Sequence, residues 1–218
     1  MLAALADPAL VEVVLLTMQV SGLALLVATV LGVPLGAVLG LTSFPGRRAV
    51  EILLYTGMGL PPVVVGLAVF LALSRGGPLG GLGWLFTPAG MVVAQTIIAF
   101  PLVCALTMSA VESVDRDLRL QVRAQGATRA QLAWTVLREA RVGVTAAIVA
   151  AFGGAISEVG AVMLVGGNIE GSTRVLTTAI VLTTRQGEVG LALALGGILL
   201  SLTLATNVLL VQLQGRTR

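Results

Sequence analysis

Five stretches of the chain, residues 13–41, 49–73, 88–111, 142–165 and 189–213, carry either no charge or a single carboxylate. A helix rises about 1.5 Å per residue, so about 20 apolar residues cross a hydrocarbon core. Each stretch therefore predicts one membrane-crossing helix, and the first is long enough to tilt or to begin along the interface. Several are interrupted. Pro34 lies in the first, Pro101 in the third, and "GMGLPPVVVG" puts Pro61 and Pro62 in the body of the second. A proline removes a backbone donor and clashes with the preceding turn. In lipid such a break needs neighbouring helices or a water-lined cavity to satisfy the freed carbonyls. Two readings of the prolines stand: kinks that improve packing, or broken helices lining a transport path. Between the last two stretches, "GGNIEGSTRVLTTAIVLTTRQGE" is too polar for a simple span, and "RVLTTAIVL" predicts a short re-entrant or surface helix.

The longest polar interval, about 112–141, divides at Gly126. Upstream, Ser113 or Asp115 can cap an amphipathic helix carrying Leu118 and Val122. Gly126 suits the left-handed position that ends a helix, and Thr128 with Gln131 fits a capping box opening the next. That second helix carries Leu132, Val136 and Leu137 and runs through Arg141 into the fourth span. Leu118, Val122, Leu132 and Trp134 are poor choices for a surface facing only water. The pattern predicts a helix–Gly–helix whose apolar and cationic faces receive a partner.

Charge supplies the orientation. Arg47, Arg48, the six arginines at 116, 119, 123, 129, 138 and 141, and Arg216 and Arg218 fall on one side of a five-span arrangement; Arg75, Arg174 and Arg185 fall on the other. Positive flanks stay cytoplasmic, which puts the N-terminus outside, the C-terminus inside and the 112–141 loop in the cytoplasm. The N-terminal "MLAALADPALVEVVLL" lacks a basic leader, and Asp7 and Glu12 precede its apolar run, so that run reads as an uncleaved span. Mean hydropathy of +1.04 and 11% charged residues exclude an ordinary soluble domain. The fold class is an all-α polytopic membrane protein, one transmembrane domain over residues 1–218.

Composition also removes chemistries. The chain has no Lys and no His. A phosphate-binding Gly-rich loop ending in Lys cannot be built, and neither can histidine zinc sites or Ser-His-Asp triads. Cys104 is alone and reads as a small buried apolar residue. An intramembrane enzyme is accordingly the weakest class. A secondary carrier would need intramembrane ionisable groups, and Glu158 alone lies deep in a span.

The interval "AQGATRAQLAWTVLREARVGV" resembles the coupling loop of ABC-importer permeases, whose pattern is Glu-Ala-Ala, a short spacer, Gly and a later Leu-Pro. It matches at Ala124, Gly126, Ala127, Leu137, Ala140 and Gly143. Gln121, Val122 and Arg123 stand where Glu-Ala-Ala would be, and Arg138 where the Pro would be. "GLPPVVVGL", "SRGGPLGGLGWLFTPAGMVVAQ", "SEVGAVMLVGGNI" and "TRVLTTAI" further resemble the tungstate branch of the molybdate/sulfate-type permeases. The resemblance implies a homodimer, two ATP-binding cassette subunits that bind ATP and Mg on its cytoplasmic side, an extracytoplasmic oxyanion-binding protein, and a location in the cell (inner) membrane. It implies no cofactor in this chain and no nucleic acid, with membrane lipid as the surround. Molybdate or sulfate is the alternative cargo.

On that reading Arg123, Ala124, Gln125, Gly126, Ala127, Thr128, Leu132 and Leu137 couple to the ATPase. Pro61, Pro62, Glu158, Asn168, Thr173 and Arg174 are candidates for pathway or gate. Glu158 would repel a dianion if ionised in its path, so a structural role off the path, paired or protonated, stands beside a gate role. Arg174 either attracts an oxyanion or a docked binding protein, or is a solvated loop charge. The hydroxyls of Thr173, Thr177 and Thr178 either line the mouth or cap locally.

Overall fold

The computed structural model describes residues 8–215; Asp7, Arg216 and Arg218 lie outside the described residues. The described chain is helical throughout: α1 (Pro8–Leu41), α2 (Arg47–Met58), α3 (Pro62–Leu73), α4 (Pro88–Glu112), α5 (Arg116–Ala124), α6 (Arg129–Glu139), α7 (Arg141–Ile156), α8 (Gly160–Gly166), α9 (Leu176–Arg185) and α10 (Val189–Gly215). Three helices, α1, α4 and α10, are long and apolar enough to cross a membrane, and bent helix pairs raise the number to as many as five.

The first predicted span is one 34-residue helix that begins earlier than its apolar pattern and carries Pro34 without breaking. The second is not straight: α2 and α3 meet at 100° across Gly59–Pro61. The fourth is also broken, at Ser157–Val159 between α7 and α8. No proline marks that second break, so the uninterrupted apolar run of residues 142–165 concealed it. Between the fourth and fifth spans α9 forms as a separate short helix, where "RVLTTAIVL" called for one.

The centre of the bundle is the pair α1 and α4, packed parallel. A Cβ built on Gly32 would lie 3.0 Å from Val103 Cγ1, on Gly36 2.5 Å from the Cys104 carbonyl oxygen, and on Gly40 2.7 Å from Val111 Cγ1. Hydrogen at these positions lets the two backbones touch, the small-residue approach that drives association where lipid removes the hydrophobic effect. Cys104 is fully buried in this seam.

Other elements pack around it. Gly57 of α2 lies against Pro101 of α4, with Leu54, Cys104 and Met108 in one cluster. On another side α7 runs antiparallel to α4, Gly143 meeting Ala110 near one end and Ala155 meeting Gln95 near the other. Contact with α9 holds α10, through Leu176, Ala179 and Leu195. Elsewhere α10 turns large apolar side chains outward, Leu193, Leu200 and Leu204 among them. This register gathers Arg47, Arg48 and the α5–α6 segment at one end of the bundle and Arg75, Arg174 and Arg185 at the other.

Gly36→Val should lower the unfolding midpoint in detergent by an amount corresponding to about 1–3 kcal/mol of overpacking. Gly22→Ala, within α1 where an added Cβ meets nothing within 4 Å, should leave the midpoint unchanged or slightly raised, since Ala favours the helix over Gly.

Candidate functional site

At the arginine-rich end the chain builds a rigid bend. Asp115 caps α5 by accepting from the Asp117 N–H at 2.8 Å, resolving the choice between Ser113 and Asp115. The α5 C-terminus closes with two reversed bonds, Gly126 N–H to the Arg123 carbonyl (3.0 Å) and Ala127 N–H to the Val122 carbonyl (3.4 Å). That pattern needs a left-handed residue between them, and Gly126 has φ +81°. A Cβ there would meet no atom within 4 Å, so the dihedral rather than space calls for glycine. Thr128 and Gln131 then exchange a reciprocal pair: Thr128 N–H donates to Gln131 Oε1 at 2.8 Å and Gln131 N–H to Thr128 Oγ1 at 3.3 Å.

The bend is anchored from beneath. Leu132, Val136 and Ala140 are buried with Ala37, Val111 and Val114, and Leu118, Val122 and Leu137 pack on the same cluster. The apolar stripe read from sequence as a partner-facing surface therefore covers the ends of α1 and α4 instead; of the residues on which that argument rested, Trp134 alone points outward, 65% exposed. The arginines divide in the same way. Arg119 donates to the last α4 carbonyls, those of Val111 and Glu112. Arg47 joins three elements, bonding Glu51 at 2.7 Å, the Thr42 carbonyl at 3.0 Å, and Glu112. Cations at a helix C-terminus complement its dipole; Arg119 fixes the bend to the end of α4, while Arg47 ties the ends of α1 and α4 to α2 beside it. The exposed tip is left with Arg123, Ala124, Gln125, Gly126, Thr128 and Arg129, with Ala127 half-buried. Six of the eight predicted coupling residues thus come together at the tip, and Leu132 and Leu137 lie under it.

A second constellation sits inside the bundle, where the two broken helices meet. Pro61 is extended (φ −60°, ψ 123°), as a residue before proline must be. Pro62 opens α3, where its missing N–H costs nothing. Opposite, α8 starts just after Glu158. Gly66 brings α3 so close that an added Cβ would lie 2.5 Å from Ala161 Cα, and a Cβ on Gly160 would lie 2.5 Å from Val63 Cγ2. The pair runs parallel, both helices starting at one depth and ending toward Gly90, beside Leu73 and Val165. Pro61, Pro62 and Glu158 are thereby neighbours.

The polar groups exposed by the α7–α8 break find partners. Glu158 Oε1 accepts from the Ala161 N–H at 2.9 Å. Thr177 Oγ1 donates to the Glu158 carbonyl at 3.0 Å, and Gln95 Nε2 to the Ala155 carbonyl at 2.9 Å. Ser157 Oγ turns back to the Gly153 carbonyl at 2.7 Å. Glu158 has no arginine partner among the described residues; its carboxylate caps the first turn of α8.

Asn168, Thr173 and Arg174 lie at the other end of α8, apart from Glu158, in the loop that closes this end of the bundle. Thr173 is fully buried and holds the loop together, donating to the Gly166 carbonyl at 2.5 Å and accepting from the Ile169 N–H at 2.9 Å. Asn168 occupies φ +52°, and its Oδ1 is buried without a partner. Arg174 pairs with Glu170 at 3.3 Å. Thr178 bonds locally to Val175. Two residues escaped the sequence reading: Gln95, signalled by being an amide within an apolar span, and Thr17, whose hydroxyl on α1 accepts from the Leu176 N–H at 2.9 Å and so starts α9.

A helical bundle of paired, broken, apolar elements, with a capped cationic bend locked to one end, defines a polytopic membrane protein. The chain belongs to the family of binding-protein-dependent transport system inner membrane components, whose family model matches residues 32–218. Over 213 residues it is 46% identical to a probable anion ABC transporter permease protein of Haloferax volcanii, covering 95% of this chain and 92% of that one. It is 38% identical over 208 residues to the tungstate uptake system permease protein TupB of Peptoclostridium acidaminophilum, covering 95% and 91%. Its fold matches a chain of the inward-facing MetNI methionine ABC transporter with a TM-score of 0.72, covering 97% of each at 20% identity.

Gln95→Leu removes the side-chain donor to the Ala155 carbonyl, which backbone N–H groups such as that of Glu158 at 3.3 Å still reach. The expected loss is about 1 kcal/mol, measurable as a lower thermal midpoint, whereas Glu158→Gln keeps an oxygen for the Ala161 N–H and should leave the midpoint nearly unchanged.

Proposed function

We propose that this chain is the pathway-forming subunit of an ATP-driven tungstate importer, working as a homodimer with two ATP-binding cassette subunits and an extracytoplasmic oxyanion-binding protein. The observation that carries this is the bend at Gly126. It is capped on both sides, exposed at its tip, and fixed to the ends of α1 and α4 by the Leu132–Val136–Ala140 cluster and by Arg119. A displacement of the tip is delivered to the central α1–α4 pair rather than absorbed in a loop. Without lysine the chain cannot form the phosphate-binding loop of an ATPase, so ATP and Mg belong to the partner.

The arginine-rich end is cytoplasmic on this reading and the chain crosses a cell (inner) membrane five times, its N-terminus outside. The second and fourth crossings are the broken ones, α2–α3 and α7–α8, and Pro61, Pro62 and Glu158 stand beside the route. Asn168, Thr173 and Arg174 shape its outer mouth, and Arg174 is the cation there that faces an arriving oxyanion or its carrier. Tungstate is favoured by the similarity to a tungstate permease over nearly the full chain and by "SEVGAVMLVGGNI" and "TRVLTTAI".

Cells carrying this gene should accumulate tungsten at nanomolar supply, measured by elemental mass spectrometry, and Gly126→Pro should abolish that uptake while the protein remains inserted. Uptake of molybdenum or sulfur instead would change the cargo; normal uptake by Gly126→Pro would remove the coupling assignment. In a Cys104→Ala background, Ser172→Cys should react with an impermeant maleimide on intact cells and Thr128→Cys only after permeabilisation. The reverse pattern would invert the orientation.

A further inference from the structure

The outer corner where α6 turns by 72° into α7 encloses a cavity of about 490 Å³ lined by Trp134, Thr135, Arg138, Glu139, Arg141 and Val142. Its chemistry is graded. Trp134 and Val142 are large apolar groups, 65% and 51% exposed. Arg138 is exposed, with no ion pair among the described residues. Arg141 adds a second guanidinium, and Glu139 is the one acid in the lining, so cationic charge predominates. Trp134 and Arg138 take no part in the helix-end clamps or in the apolar anchor of the bend.

Val142 stands in the first turn of α7, the helix that enters the apolar bundle, and its side chain is outward. Trp134 lies in the middle of α6 and lines the same cavity. An indole with one apolar body and one N–H donor is favoured at a membrane–water boundary, and a guanidinium binds phosphate through two parallel N–H bonds. The anionic surface of the cytoplasmic leaflet attracts such cations.

We infer that this corner is a binding site for the headgroup of an anionic phospholipid, its phosphate held by Arg138 and Arg141, its glycerol region against Trp134 and an acyl chain along Val142. The inference rests on the reading that the arginine-rich end is cytoplasmic and α7 crosses the membrane. A docked ATPase is the rival occupant of an exposed tryptophan. Two observations favour lipid: Val142 of the spanning helix lines the same cavity, and Arg138 stands about 15 Å along α6 from the exposed tip that ends at Thr128, with Trp134 about 9 Å along it. Arg138, which departs from the coupling-loop pattern, gains a role here. The site would tie the corner to the leaflet while the tip moves.

Trp84 and Trp134 are the two tryptophans of the chain, so Trp84→Phe in the full-length protein leaves Trp134 as a single reporter. Reconstituted in phosphatidylcholine vesicles, its fluorescence should be quenched several-fold more by brominated phosphatidylglycerol than by brominated phosphatidylcholine at equal content. Arg138→Gln should reduce that preference, and Arg138→Gln with Arg141→Gln should bring the two lipids to parity. In the assembled transporter, native mass spectrometry should find retained phosphatidylglycerol that the double variant loses. Equal quenching by both lipids in the unmodified site, or a preference that survives the double variant, would overturn the proposal. So would an absence of quenching, or loss of the bound lipid when the ATPase docks. An inverted topology would show separately, in the maleimide labelling of Ser172→Cys and Thr128→Cys.

Discussion

Everything else in the molecule is arranged on the contact between α1 and α4. Lipid offers no hydrophobic reward for bringing two apolar helices together, so their association depends on close approach. Gly32, Gly36 and Gly40 supply it along one face of α1, and Cys104, Thr107, Met108 and Val111 fill the opposing face. Because the two helices are parallel, their C-terminal ends finish side by side. The cluster beneath the bend, from Ala37 to Val136, can form only there, and so can the Arg47 bridge between the end of α1 and Glu112. The α5–α6 bend is thus attached to the closely packed α1–α4 seam of the bundle.

Breaking two helices inside such a bundle exposes backbone polar groups where unsatisfied ones cost most. Side chains from neighbouring elements answer the α7–α8 break: Gln95 comes from α4 and Thr177 from α9, while Glu158 serves its own chain locally. The α2–α3 break is handled differently, by proline chemistry at Pro61 and Pro62 and a glycine seam at Gly66. One break is therefore held by hydrogen bonds and the other by covalent stiffness and packing.

Hydropathy alone located the long helices, because a run of apolar residues admits few alternatives once it exceeds the length of a soluble helix. The bend was equally legible: Gly126, Thr128 and Gln131 act on adjacent backbone, and local chemistry is written locally. What sequence left hidden depends on partners distant in the chain. Ser157–Val159 carries no proline and breaks only because Gln95 and Thr177 are there to receive its polar groups. Leu118, Val122 and Leu132 form an amphipathic stripe whatever lies opposite, and periodicity does not tell an internal neighbour from an external one. Arg47 and Arg119 looked like topology signals until the ends of α1 and α4 arrived beside them. Of the two roles that Thr173 could take, lining a mouth or capping locally, its bonds within its own loop match the local one.

The bonding of Glu158 carries an implication for residence time. Its side-chain oxygen already occupies an N–H at the start of α8, the kind of donor that an oxyanion on the proposed reading would seek. Among the described residues, the buried side-chain nitrogens left without a partner are Nε of Arg119 and Nε of Arg174, one toward each end of the bundle and neither in its middle. On the proposed importer reading, the buried cationic donors free for a dianion lie toward the two ends, and the interior adds only hydroxyls such as those of Thr29 and Thr107. A passage of that kind holds an anion weakly along its length, leaving any prolonged grip to whatever docks outside it.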